Sequence, residues 1–235
     1  MTLVEHLIEL RRRIIICVIA ISVGAIVAFI LGDQIIHFLI GPYQDLDHPN
    51  GVPNTLIATD PLAPFLVRIK IATYGGIVFA LPVWLWQVWR FVTPGLHKHE
   101  KRYAIPFILS SIVLFLLGGF VAWLTLPKAL SFLASIGGSD ITPFFTADKY
   151  LTLVSLMFVA FGLSFEFPVL LVFLMLVGVL KSRTLSHSRR WAAVGITTFA
   201  AVITPSQDPY SLMFMAVPMY LFYEASIVIG KLMKK

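Results

Sequence analysis

Apolar runs recur along this chain from Ile14 to Gly230 with only short polar breaks between them. Runs of that kind match the roughly 20 residues a helix needs to cross the hydrocarbon of a bilayer. The composition agrees, since 58% of the 235 residues are hydrophobic, 13% are charged and the mean hydropathy is +0.89. Soluble domains stay near 45–50% apolar and about 25% charged. The expected fold is therefore an all-α integral membrane protein, with six transmembrane helices at 14–31, 65–89, 103–126, 151–180, 191–203 and 210–230. Residues 1–235 form a single polytopic membrane domain in this reading. The run from Ile14 to Leu31 is too long for a signal-peptide core of roughly 7–15 residues and no small-x-small site closes it, so it is read as a retained helix.

Charge fixes the expected orientation. Arg11, Arg12, Arg13, Arg90, Lys98, Lys101, Arg102, Lys181, Arg183, Arg189, Arg190, Lys231, Lys234 and Lys235 fall on one side of these spans, and Arg68, Lys70, Lys128 and Lys149 on the other. The positive-inside rule then puts both termini in the cytoplasm. Arg68 and Lys70 lie close enough to a span that they must snorkel outward or face protein. The two C-terminal helices are short. The fifth, Trp191 to Ile203, would rise only about 20 Å against a core of about 30 Å. The fourth is long, and Pro168 supplies a kink. Between the first two spans, Gly32 to Pro64 carries five prolines, which predicts a cap without regular helix on the outer face. The second outer loop, Pro127 to Tyr150, is expected beside it.

Several classes are excluded. The net charge of +6 comes from cations that flank apolar runs, so it orients helices and does not suggest nucleic acid. One cysteine, Cys17, allows no internal disulfide. No zinc-protease helix, nucleophile elbow, phosphate-binding glycine loop or cysteine pair occurs. The chain is read as a non-enzyme without cofactor or metal.

What remains is a handful of acids. Leu3, Leu7, Leu10 and Ile14 share one helical face, with Glu5, Glu9, Arg12 and Arg13 on the other, which reads as an interfacial amphipathic helix before the first span. Glu9 precedes Arg13 by four residues, the favourable order for a helical ion pair, so Glu9 either neutralises its own arginines or awaits a foreign one. Glu100 sits among Lys98, Lys101 and Arg102 just past Pro94-Gly95. It is either a solvated loop acid or a bidentate receptor for a partner's guanidinium, which lysine imitates poorly. Trp86, Trp89 and Phe91 could form an apolar shelf nearby. Glu166, midway along the fourth span, is the costliest residue, since an acid at that depth disfavours insertion by roughly 2.5–3.5 kcal/mol. Its expected polar partners are Gln87, Ser155, Thr152 or a side chain of another protein. Glu224, nearer the inner end of the last helix, can snorkel.

Taken together, His6 to Arg13, Ile57-Ala58-Thr59-Asp60, Leu81-Pro82 with Gln87-Val88-Trp89, Phe91 to Glu100, Phe161 to Pro168, Thr204-Pro205 with Asp208, and Val217-Pro218-Met219-Tyr220 resemble the TatC family of the twin-arginine protein translocase over nearly the whole chain. The resemblance implies a receptor subunit in a bacterial inner membrane that binds twin-arginine signal peptides of folded proteins at the cytoplasmic face. It also implies export driven by the protonmotive force with the single-helix partners TatA and TatB, and self-association in a larger complex. By the same resemblance Glu9, Arg11, Phe91 and Glu100 belong to signal-peptide binding, Glu166 with Gln87 to an intramembrane contact, and Pro42, Pro82 and Asp208 to functional loops. His97 departs from the family, where an aromatic is usual. The competing reading is a proton-coupled small-solute transporter that uses Glu166 as its carrier site.

Overall fold

The computed structural model describes residues 3–44, 56–92, 104–136 and 145–233. Backbone groups in hydrocarbon have no water to bond, so a spanning segment must satisfy them internally, and the described residues are almost wholly helical. The elements are α1 (Leu3–Ile30), α2 (Gly32–Gln44), α3 (Ala63–Phe79), α4 (Leu81–Val92), α5 (Ala104–Ile136), α6 (Ala147–Ser164), α7 (Phe167–Leu176), α8 (Ser182–His187), α9 (Arg189–Ile203) and α10 (Pro209–Leu232). Four stretches are long and apolar enough to cross a bilayer, namely Leu7–Ile30, Ile105–Ile136, Ala147–Leu176 and Pro209–Leu232. The pair α3 and α4, bent by 52° at Ala80, makes a fifth if it counts as one span. At 15 residues α9 rises only about 22 Å and falls short of that length.

α6 is the central helix. Val154, Met157 and Phe161 are fully buried in it, and the main apolar cluster joins it to α2, α3, α5, α7, α9 and α10. α1 lies at the edge against α3 and α4, with Ile14, Val18 and Ile26 exposed. Close crossings depend on missing side chains, as is usual where packing must replace the hydrophobic effect. A Cβ on Gly76 of α3 would stand 2.7 Å from the Ile21 carbonyl oxygen of α1, and one on Gly118 of α5 would stand 2.6 Å from the Phe161 carbonyl oxygen of α6.

Three expectations are corrected here. The Pro-rich outer segment is not free of regular helix: Gly32–Gln44 is α2, and Pro42 lies inside its last turn, buried. Pro42 removes a single backbone donor near the C-terminal end of a 13-residue helix, a loss that leaves the preceding turns intact, so proline count alone overstated the effect. α5 runs ten residues past 126 and carries Pro127 internally, so much of the expected second loop is helix. The amphipathic start is no separate interfacial helix, because α1 is continuous from Leu3 through the span. The fourth span is indeed broken near Pro168, between Ser164 and Phe167.

The segments that follow α1 and α5 tie together. Ala147 N donates to the Ile57 carbonyl at 2.9 Å, and Ile57 with Thr146 forms a parallel bridge. The buried Tyr150 hydroxyl donates to Leu39 O at 2.9 Å, and the Tyr43 ring packs 5.3 Å from that of Tyr150. Arg68 pairs with Asp33, and Lys70 pairs with Asp148 at 2.5 Å and donates to Thr152 Oγ1 at 3.2 Å. Both of these cations therefore face protein.

Helix crossing at Gly118 is directly testable. Gly118→Val should destabilise the detergent-solubilised protein by about 1–3 kcal/mol through overpacking, read as a lowered thermal transition. Gly195→Ala, on α9 with nothing within 4 Å of its added Cβ, should leave that transition unchanged or raise it.

Candidate functional site

The first turns of α1 and the last turns of α4 meet in a recess of about 210 Å³ lined by Glu9, Arg12, Arg13, Ile16, Gln87 and Arg90. Helical spacing explains which α1 side chains face it: Glu9, Arg12, Arg13 and Ile16 recur at intervals of three and four, so they share one face. Glu9 and Arg13 form an ion pair, with side chains 21% and 14% exposed. Arg13 Nη1 also donates to Gln87 Oε1 of α4 at 3.4 Å, which binds the pair across the helix boundary. Gln87 is 9% exposed. The recess thus presents one carboxylate among three guanidinium groups, on a side of the molecule rich in cations. Arg11 points away from it and is exposed, and Phe91 is half-buried beyond Arg90. Glu100 and His97 lie outside the described residues.

A second site opens sideways toward lipid. Glu166 occupies the break between α6 and α7, at the N-cap position of α7, yet its side chain makes no cap bond. It lines a groove of about 250 Å³ walled by Trp84, Leu85, Val88, Trp89, Phe107, Ile108, Leu163 and Phe173. Trp89 stacks on Phe107 with centroids 4.9 Å apart and meets Phe173 edge-on at 5.7 Å, so this aromatic is groove wall and not an interfacial shelf. Glu166 Oε1 is buried and has no hydrogen-bond partner among the described residues. The polar side chain beside this glutamate is the buried Ser111 of α5. The internal partners expected from sequence go elsewhere: Gln87 meets Arg13, Thr152 meets Lys70, and Ser155 lies about three turns earlier in α6. The polar neighbour that the described residues supply is instead Ser111.

The turn before α10 is a worked cap. Asp208 is 1% exposed, its Oδ1 accepts from Ser211 N at 2.8 Å, and its Oδ2 accepts from the Ser206 hydroxyl. Ser206 Oγ and Ser211 Oγ are 3.1 Å apart. Pro209 follows at the first helical position, where its missing N–H costs nothing. Gln207 takes the left-handed conformation, φ 50°, to close the turn. Ser206 and Ser211 were not singled out from sequence, although Asp208 followed by Pro209 is itself an N-cap signature that locates the turn. Pro82 is exposed at the start of α4, just past the bend. Glu224 keeps about a third of its side chain exposed. It receives Arg189 of α9 in a bidentate pair at 2.8 Å.

Two outcomes follow. Asp208→Ala should lower stability by about 1–2 kcal/mol, while Asp208→Asn, which retains an acceptor for Ser211 N, should lose less; thermal melting in detergent measures both. Glu166→Leu should raise the melting temperature of the isolated protein, because it removes a partly buried carboxyl oxygen that lacks a partner, a change worth about 1–3 kcal/mol.

Comparison with known proteins places the chain. The family model for the Sec-independent protein translocase protein TatC matches residues 5–218. A TatC from Frankia casuarinae is 40% identical across 98% of this chain, although the alignment covers 65% of that longer protein. TatC of Aquifex aeolicus is 38% identical over 99% of this chain and 95% of its own length, and that of Escherichia coli is 34% identical over 97% and 88%. A crystal structure of the twin arginine translocase receptor TatC in DDM superimposes with a TM-score of 0.80 at 38% identity, covering 96% of this chain and 99% of that one.

Proposed function

The chain belongs to the TatC family of Sec-independent protein translocase components, and from that premise we propose that it is the receptor for twin-arginine signal peptides. It is a multi-pass membrane protein of the Tat translocase, a transport component and not an enzyme. The signal is received at the cytoplasmic face of a bacterial inner membrane, with both termini on that face and α9 acting as a sixth, short span in a locally thinned bilayer. The observation that carries the reading is the recess between α1 and α4, where Glu9 is the one acid among Arg12, Arg13 and Arg90. A surface this basic repels cationic segments in general. A carboxylate set into it selects a planar guanidinium by geometry as well as charge.

Glu9 and Glu100 hold the two signal arginines, with Arg11 and Phe91 framing the patch. The apolar core of the signal runs up the lipid-facing groove above, whose wall of Trp84, Trp89, Phe107 and Phe173 suits an apolar helix. Glu166, which lines that groove and whose buried Oε1 has no hydrogen-bond partner among the described residues, takes a polar group of a single-helix partner, TatA or TatB. Several copies of the chain assemble into the working complex, and the protonmotive force drives export. The solute-carrier alternative has no support from a protein translocase family.

Glu100→Gln and Glu9→Gln should each reduce photocrosslinking of a twin-arginine precursor at least about tenfold, the effect of losing a charge-assisted pair, with membrane insertion unchanged. Glu166→Gln should leave precursor crosslinking intact while reducing co-purification of the single-helix partners. Normal crosslinking in both acid variants rejects the assignment.

A further inference from the structure

Within the receptor recess, a guanidinium already occupies the acid. We propose that Arg13 is a resident placeholder for the signal: it holds the Glu9 carboxylate in the empty receptor and must be displaced before a signal arginine can pair there, so it sets the affinity threshold of the site. This inference rests on the receptor reading of Glu9.

The geometry is specific to Arg13. Its guanidinium pairs with Glu9 one helical turn back and simultaneously donates to Gln87 Oε1 on α4, and both paired side chains are largely withdrawn from water. Arg12 and Arg90 line the same recess and make no ion pair among the described residues. An incoming cation therefore meets three positive groups around one carboxylate that is engaged. For an arginine, displacement exchanges one guanidinium–carboxylate pair for another of the same kind, and Gln87 Oε1 is left available to the newcomer. For a lysine, a forked donor is exchanged for a point charge that cannot reproduce both bonds.

Displacement lowers the apparent affinity for both signals by the same factor, because the competent state is populated only when Arg13 has moved away. The ratio between arginine and lysine signals is set by the acid, and the absolute level by Arg13. A common reduction pushes the weaker lysine signal below working concentrations while the arginine signal still binds. Gln87 is then a positioning residue, acting through the orientation it gives Arg13.

The test uses the full chain in nanodiscs of phosphatidylcholine and phosphatidylglycerol, at fixed low salt, with a fluorescent twin-arginine signal peptide and its twin-lysine counterpart. Arg13→Gln should tighten binding of both peptides by a common factor of about two to five, the range for releasing a helical ion pair. Arg12→Gln removes the same charge from the same recess without releasing Glu9, and it should tighten binding less. Equal tightening by the two variants, or weaker binding in Arg13→Gln, overturns the placeholder role and leaves only a charge effect or a structural one. Should Arg13→Gln fail to fold, Arg13→Lys decides at constant charge: tighter binding supports displacement, and unchanged or weaker binding contradicts it. No binding of either peptide to the unaltered protein rejects the receptor reading itself, and the inference with it.

Discussion

Pairing of charge is the constraint on which this structure depends, because a lone ionised side chain next to hydrocarbon is costly and a helix bundle gains little hydrophobic energy with which to offset it. Lys70 joins α3 to α6 through Asp148 and Thr152, Arg68 joins α3 to the start of α2 through Asp33, and Arg189 joins α9 to α10 through Glu224. Each tie has one partner in the first turn of its helix, and all three are partly exposed. They fix relative height and rotation more than they add stability, since partly exposed pairs contribute only about 0–1 kcal/mol each. The Glu9–Arg13 pair is the most withdrawn from water of the four, and it lies in the recess between α1 and α4.

Against this background Glu166 stands out. Its carboxyl sits at the break between α6 and α7 with no cap bond and no described partner for the buried Oε1, beside a groove that is aromatic and aliphatic except for Ser111. A protein selected for stability alone would carry leucine there. Retaining a carboxyl at such a break is the stability–function trade-off expected where a second helix completes the polar pairing.

Much of the architecture was legible in the chain because hydrophobic run length and cation placement act locally. The spans beginning near Ala104, Ala147 and Pro209 follow from run length, and the break beside Pro168 from ring sterics. What failed was inference from residue type without position. Pro42 and Pro127 sit inside helices, where a terminal turn or the absence of an alternative partner for the backbone overrides their breaking tendency. The Glu9–Arg13 pair was readable from spacing, and facing protein was one of the two outcomes open to Arg68 and Lys70 beside a span. The union of Gln87 with Arg13, the placing of Ser111 beside Glu166, and the Ser206–Asp208–Ser211 cap with its buried hydroxyls depend on tertiary approach. No single-chain periodicity encodes which of several polar residues will face a given acid.

The central claim is that a carboxylate in a basic recess between α1 and α4 receives a guanidinium from outside the chain. A photocrosslinker placed at Ile16, which lines that recess, tests it most directly with a stalled precursor. The account predicts strong labelling of a twin-arginine precursor from this position and little when both arginines are replaced by lysine. Equal labelling of the two precursors, or labelling confined to a control position such as Phe38 near the outer cap, would contradict it.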